Sequence, residues 1–173
     1  MKTKKCLILS LLAAVIVLLM VSCPDTDKSV TTLKPPPITI PNSATVYTAG
    51  FFDGGNEKAC YWKDKLKTNL PVGTGISYAK AITQSGGSIY IAGYYSDGGN
   101  SIACYWKDGI KTDLPAGAGA SHAYAITQSG GSIYIAGCYD DGGTSIACYW
   151  KDGIKTDLPG INSLVNGITV VAN

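Results

Sequence analysis

The sequence repeats itself with a period of 44 residues, and this repetition limits the possible folds more than any other feature. Residues 125–159 reproduce residues 81–115 with three substitutions in 35 positions. A looser copy precedes them, and Trp62, Trp106 and Trp150 mark the period. A fixed period of this size is typical of repeat architectures, in which each unit packs on its neighbours. We therefore expect an array of similar small units.

Each repeat has the pattern of four strands joined by tight turns. In the second copy the runs 77–84 and 88–95 flank a Gly-Gly turn, and the runs 102–106 and 110–114 follow two turns that contain Asp-Gly. Such pairs supply the positive φ that hairpin turns require. The third run, IACYW, is apolar on both faces and needs cover on both sides, whereas the fourth alternates apolar with charged residues like a half-exposed outer strand. We predict an all-β fold of propeller-like repeats, each a four-stranded antiparallel blade.

The units SIYIAGYYSDGGNSIACYWKDGIKTDLP and SIYIAGCYDDGGTSIACYWKDGIKTDLP resemble the tandem repeats of β-propeller-like bacterial lipoproteins of the spirochaete type. The resemblance covers residues 46–173 through the IYIAGYY, DGG, ACYWKDG and TDLP motifs. It implies a propeller-type envelope protein. It assigns no catalytic residues and no cofactor.

Residues 1–22 have the pattern of a lipoprotein signal peptide. A basic start precedes an apolar run over 7–21, which is shorter than the roughly 20 residues of a membrane span. The ending LMVSC resembles a relaxed lipobox and predicts lipidation of Cys23. We expect a protein anchored by this lipid to a membrane of the bacterial cell envelope, on the periplasmic or the surface side. The alternative is an ordinary secreted protein in which Cys23 is incidental.

Two further segments follow the signal peptide. Residues 23–45 comprise the lipidated Cys and a Pro-rich tether that cannot form a core, and residues 46–173 form the repeat domain. Without the signal peptide, 11 Lys remain against 12 acidic residues, and the chain contains no Arg. Proteins that bind nucleic acids neutralise phosphates with clustered Lys and Arg, so this composition argues against a nucleic-acid partner.

The first repeat begins at a second strand, so its blade lacks a first strand of its own. Residues 163–172 align with a first strand, with Ser163 on Ser121 and Ile168 on Ile126, and are expected to complete the blade begun at the N-terminus. That arrangement gives three blades, whereas propellers typically have four to eight. We therefore expect a homodimer that closes a six-bladed ring. An open arc and a truncated gene product are the alternatives.

The cysteines of the repeats carry one possible covalent link. Cys60, Cys104 and Cys148 occupy equivalent positions, which indicates buried small side chains. The chain contains no paired CxxC ligands, so no metal site is expected. Cys138 lies across a predicted hairpin from Cys148, and a disulfide between them is possible in an oxidising compartment.

Catalysis is not expected from this sequence. The single histidine, His122, aligns with a Tyr and a Leu in the other repeats, and the repeated Asp residues fall in turns. A propeller-type hydrolase or lyase is the alternative, and it would have to use the residues that break the repeat symmetry, His122 and Glu57.

A binding role is the leading hypothesis. Aromatic and acidic residues near the loops between second and third strands are the predicted contacts for a protein or glycan ligand. They are Phe52, Asp53, Tyr94, Tyr95, Asp97, Tyr139 and Asp141. Repetition of such loops would add avidity. Two alternatives stay open: the tyrosines pack between blades, or the array is a structural remnant that binds nothing.

Overall fold

The computed structural model describes residues 44–96 and 98–171. The predicted signal peptide, Cys23, almost all of the tether and Asp97 lie outside these ranges. No helix among the described residues is long and apolar enough to cross a membrane.

The described chain is all-β and contains three antiparallel sheets. Sheet 1 has the order β1-β2-β3, sheet 2 the order β4-β5-β6-β7, and sheet 3 the order β8-β9-β10-β11. The strands are β1 Tyr47–Asp53, β2 Glu57–Lys63, β3 Leu66–Asn69, β4 Ser77–Ser85, β5 Ser88–Ser96, β6 Ser101–Lys107, β7 Ile110–Asp113, β8 Ser121–Ser129, β9 Ser132–Asp141, β10 Thr144–Lys151 and β11 Ile154–Asp157. The predicted all-β class and the four-stranded order of each complete repeat are confirmed.

A repeated Asp fixes the turn between the third and fourth strands. Asp64, Asp108 and Asp152 adopt positive φ values of 55°, 50° and 51°. The Oδ1 atom of Asp108 accepts a hydrogen bond from the backbone N–H of Ile89 at 2.8 Å, and the N–H of Asp108 donates to the Ile89 carbonyl at 3.0 Å. The first of these bonds lowers the pKa of the Asp108 carboxyl, because it favours the charged form. The predicted turn role of these residues is confirmed.

A β-bulge interrupts the pairing of the first two strands in sheets 2 and 3. It lies between Ala79 and Ala81 in β4, and at the equivalent place in β8. The facing residue is Gly93, where a Cβ atom would overlap the carbonyl oxygen of Tyr78. The bulge therefore requires glycine at this position. It also turns the residues before and after it toward different faces of the sheet.

The sheets pack face to face through two apolar clusters. One cluster joins sheet 1 to sheet 2, and the other joins sheet 2 to sheet 3. At the centre of each lies a fully buried Trp: the Nε1–H of Trp106 donates to the carbonyl of Pro71 at 3.1 Å, and that of Trp150 donates to the carbonyl of Pro115 at 2.7 Å. Sheets 2 and 3 are thus each bonded to the segment that leaves the sheet before them.

A buried serine provides a second bond between neighbouring sheets. The Oγ of Ser77 accepts a hydrogen bond from the N–H of Ala59 at 2.9 Å, and the Oγ of Ser121 accepts one from the N–H of Ala103 at 2.9 Å. Both serines are buried, and each satisfies an amide that the strand ladder leaves unpaired. The serine therefore sets where the first strand of a repeat meets the preceding sheet.

Burial of the strands agrees with the sequence pattern for the third strand and differs for the fourth. In β6, Ala103, Cys104 and Trp106 are all 0% exposed, which confirms that both faces are covered. In β7, Ile110 is 73% exposed, whereas the Lys111 ammonium lies 3.5 Å from the centre of the Tyr95 ring. The side of β7 that carries Lys111 therefore packs on Tyr95 of the same sheet, and the side that carries Ile110 is exposed.

Residues 163–171 do not complete sheet 1 within the chain. Sheet 1 has three strands, and the N–H of Ser163 instead donates to the Ser145 carbonyl at 2.9 Å while its Oγ accepts from the N–H of Ala147 at 2.9 Å. Ser163 thus docks on sheet 3 as Ser77 and Ser121 dock on sheets 1 and 2. Among the described residues, sheet 1 therefore consists of β1, β2 and β3, and residues 163–171 are not paired with β1.

Candidate functional site

Five aromatic side chains form a continuous row across the three sheets, which we call the aromatic row. Phe51 and Tyr78 have ring centroids 5.0 Å apart, Tyr78 and Tyr94 are 5.0 Å apart, and Tyr94 and His122 are 4.4 Å apart. Tyr124 stacks beside His122 at 5.9 Å and lies 6.5 Å from Tyr94. Most of these pairs meet edge to face, which the ring quadrupoles favour.

Strand register and the bulge place these side chains together. Tyr78 lies directly opposite Tyr94 in the β4–β5 pair, and His122 occupies the same position in sheet 3, opposite Cys138. Tyr124 is the extra residue of the bulge in β8. Because directly opposed residues project from the same face, the first two strands of each sheet contribute neighbouring rings to one surface.

One end of the row carries a carboxylate. The hydroxyl of Tyr78 donates a hydrogen bond to Glu57 of β2. This bond, followed by burial and the negative charge of Glu57, raises the pKa of Tyr78 to about 12, so the phenol keeps its proton and remains a donor. Glu57 of sheet 1 thus orients Tyr78 of sheet 2.

The middle of the row carries a positive charge. The Nζ atom of Lys80, the bulge residue of β4, lies 5.1 Å from the Tyr78 ring centre and 5.4 Å from that of Tyr94, within cation–π range. Burial, and secondly the charge of Lys80, lowers the pKa of His122 below its ordinary value. His122 is therefore neutral at pH 7. Burial also raises the pKa of Tyr124 to about 12, with Cys138 contributing.

The row offers a defined set of contacts. The rings of Tyr78, Tyr94, His122 and Tyr124 are half-buried, and Phe51 is 44% exposed. Aromatic faces and edges, phenolic hydroxyls, one carboxylate and one ammonium are thus available along one surface. No group of three metal-ligating side chains stands together in the part of the chain that the structure describes.

The residues predicted from the sequence as ligand contacts do not form one site. Tyr94 belongs to the aromatic row, but Tyr95, the next residue of the strand, projects to the other face and is 8% exposed. The Tyr95 hydroxyl donates to Asp113 at 3.1 Å, and Lys111 covers its ring. In sheet 3 the Tyr139 hydroxyl likewise donates to Asp157 at 3.1 Å, and Lys155 covers the Tyr139 ring. Tyr95 and Tyr139 therefore serve packing, and each also belongs to the apolar cluster that joins its sheet to the one before it.

The remaining predicted contacts lie apart from the row. Phe52 is half-buried under the ammonium of Lys67, which lies 3.4 Å from its ring centre. Asp53 is exposed and accepts a hydrogen bond from the N–H of Gly55 at 3.0 Å, so it stabilises a turn. Asp141 is exposed at the end of β9. Asp97 lies outside the described residues.

The possible disulfide is not formed. Cys138 and Cys148 are both free and buried. In the β9–β10 pair Cys138 lies opposite Ala147, and Cys148 lies opposite Gly137. Cys138 and Cys148 therefore project to opposite faces of the sheet, and a disulfide would require the strand register to change. Burial also raises the pKa of the Cys148 thiol to about 12.

Sequence reasoning missed three members of the row, Phe51, Tyr78 and Tyr124, and the neighbouring Lys80. Tyr78, Lys80 and Tyr124 were missed because strict alternation along the first strand does not account for the bulge. A signal was present: Gly93 stands in the middle of an otherwise apolar strand, and such a glycine indicates a bulge or a close backbone approach.

Comparisons with known proteins do not assign a family. No protein-family model matches the chain, and no curated protein is significantly similar to it.

Proposed function

We propose that the chain is a lipid-anchored protein of the bacterial cell envelope whose repeat domain is a propeller-like module for binding a glycan or protein ligand. It acts by binding rather than by catalysis. The aromatic row is the contact surface, and the observation that carries this proposal is its continuity across all three sheets at ring separations of 4.4–5.0 Å along the main line.

The differences between the two closest repeats support a binding role. Residues 77–115 and 121–159 differ at five positions, and three of these are Tyr78, Lys80 and Tyr94 of the site. Their counterparts are His, Tyr and Cys. The scaffold of the two sheets is thus the same while the surface of the row changes from one sheet to the next, as expected of a surface that contacts an asymmetric ligand.

A glycan is the ligand class that fits the side chains best. Sugar rings present C–H faces that pack on aromatic rings, and hydroxyl groups that pair with phenols, carboxylates and ammonium groups. The row supplies each of these, with Glu57 at one end and Lys80 over the middle. Binding sites of this kind combine apolar and aromatic surface with a few placed polar groups.

The test is binding of the full chain to a panel of soluble neutral and acidic oligosaccharides by isothermal titration calorimetry. Tyr94→Ala should abolish binding, and it should leave the fold intact because sheet 3 already carries a small residue, Cys138, at this position. Tyr90→Phe, outside the row, is the matched control and should bind like the unaltered chain. Binding that survives Tyr94→Ala, or a panel without any binder, refutes the glycan proposal.

The membrane anchor is tested separately. Incorporation of a labelled fatty acid should occur in the unaltered chain and disappear in Cys23→Ser, because only a thiol can receive the thioether-linked lipid. Ser22→Ala retains the small residue before Cys23 and should leave labelling unchanged. Labelling of Cys23→Ser would contradict this site of attachment.

A further inference from the structure

The end face of sheet 3 contains an open apolar cavity of ≈ 490 Å³. Tyr134, Ala136 and Tyr149 line it from the sheet, and Val165 and Ile168 line it from the segment that follows. The face has no covering sheet among the described residues.

The chain itself shows what covers such a face. The counterparts of the three sheet residues in sheet 2 are Tyr90, Ala92 and Tyr105, and these pack in the cluster that contains Trp150 of sheet 3. The next sheet in the array therefore fills the equivalent space in sheet 2 with its Trp. An apolar face of this kind is expected to be covered by an element of the same construction.

Sheet 1 carries the surface that matches this end face, and the Trp on that surface is not fully buried. Trp62 is the counterpart of the two fully buried tryptophans, yet it is only half-buried. At the other end of the array, Pro159 is the counterpart of Pro71 and Pro115, whose carbonyls accept the indole hydrogen bonds. Leu158 is half-exposed, whereas its counterpart Leu114 is buried. Each end thus holds one half of the contact that joins neighbouring sheets.

The strands show the same complementarity. β1 is an edge strand of a three-stranded sheet, whereas sheets 2 and 3 have a fourth strand at that edge. Residues 163–171 align with that fourth strand, and Ser163 is already docked as its first residue. The register of β4 on β5 places Ile82 opposite Ile91, and the equivalent pair is Ile168 with Thr48. An edge strand with unpaired backbone groups is a template for pairing with a segment of another chain.

We infer that the end face of sheet 3 binds sheet 1 of a second copy of this chain. Trp62 of the second copy enters the cavity and donates to Pro159, while residues 163–171 pair with β1 of that copy. Because the described residues of each chain form three sheets and propeller rings typically have four to eight, the ring that fits is a dimer of six sheets. Leu164, which is 58% exposed, then covers Phe51 of the second copy and extends the aromatic row across the junction.

The experiment is disulfide trapping between two differently tagged full chains expressed together, one carrying Thr48→Cys and the other Ile168→Cys. Oxidation should give a crosslinked product that contains both tags, because the register sets these positions opposite one another. Ile154→Cys in place of Ile168→Cys is the control and should give none, since this residue is 74% exposed on the outer strand. The native cysteines of the repeats are buried, and burial raises the pKa of Cys60, Cys104 and Cys148. They therefore compete little with the introduced cysteines for disulfide formation.

A second measurement uses the mass of the full chain in detergent. The unaltered protein should have twice the mass of one chain, and Trp62→Ala should halve it, whereas Ile154→Ala should not change it. A single chain carrying both cysteines that crosslinks only within itself, or an absence of any crosslink, overturns the inference. Neither measurement needs a ligand, so failure of the glycan proposal leaves this result unaffected.

Discussion

The hydrogen bond between each buried Trp and the preceding sheet can be tested by Trp106→Phe. Trp106 is 0% exposed, and its Nε1–H donates to the Pro71 carbonyl at 3.1 Å. Phe keeps one ring but loses three heavy atoms, which costs about 2 kcal/mol at about 0.8 kcal/mol per buried carbon. The carbonyl left without a donor adds about 1–3 kcal/mol. We therefore expect the free energy of unfolding to fall by about 3–5 kcal/mol.

The assay is equilibrium unfolding in urea, followed by far-UV circular dichroism because the substitution removes a fluorophore. All variants are compared at one protein concentration, since association shifts apparent stability. Trp150→Phe repeats the experiment in the next sheet, where the bond is 2.7 Å and the burial is the same, and should give a similar loss. Ile110→Ala is the control and should stay within about 0.5 kcal/mol. A loss below about 1 kcal/mol for both tryptophans would refute the reasoning.

Three other substitutions test the remaining contacts. Ser121→Ala leaves the buried N–H of Ala103 without an acceptor and should lower the free energy of unfolding by about 1–3 kcal/mol, measured by urea titration. The lowered pKa of His122 means that the unfolded chain binds its proton more readily, so this contribution to stability is complete above the ordinary pKa of 6.5 and declines as the pH falls below it. His122→Tyr, the residue of sheet 2, should remove that decline in the thermal midpoint, and an unchanged pH profile would contradict the burial argument. Asp108→Asn should keep the turn because Asn tolerates positive φ and retains an acceptor, whereas Asp108→Ala should lower the thermal midpoint further.

The sequence was sufficient for the strands but not for the site. The turn residues and the doubly apolar IACYW run predicted the order of each complete repeat, because both depend on local conformation and on alternation along one strand. The aromatic row depends on the bulge at Lys80, which adds one residue to β4 and changes the face on which its side chains lie. Alternation read from the sequence alone therefore separates Tyr78 from the residues that it contacts across the sheets.

The contacts and burial of Tyr95 also could not be predicted from the sequence pattern. A Tyr in a strand next to a loop is equally consistent with an exposed contact and with a buried one. The structure decides between them through Lys111 and Asp113 of β7, which enclose the ring and its hydroxyl. That contact joins strands that are not sequence neighbours, and burial set by such contacts cannot be read from spacing.

The Trp–Pro and Ser–amide bonds have a consequence for how this gene can change length. Each bond joins a sheet only to the one before it, and both recur at the same step of 44 residues. Recombination between the near-identical repeats could remove or add one such step. Every remaining junction would be chemically unchanged, because stability in such arrays is approximately a sum of nearest-neighbour terms. If the inferred pairing between chains closes a ring, only the number of chains in that ring would change. We therefore expect functional alleles that differ by whole repeats to be tolerated far better than insertions of a few residues within one.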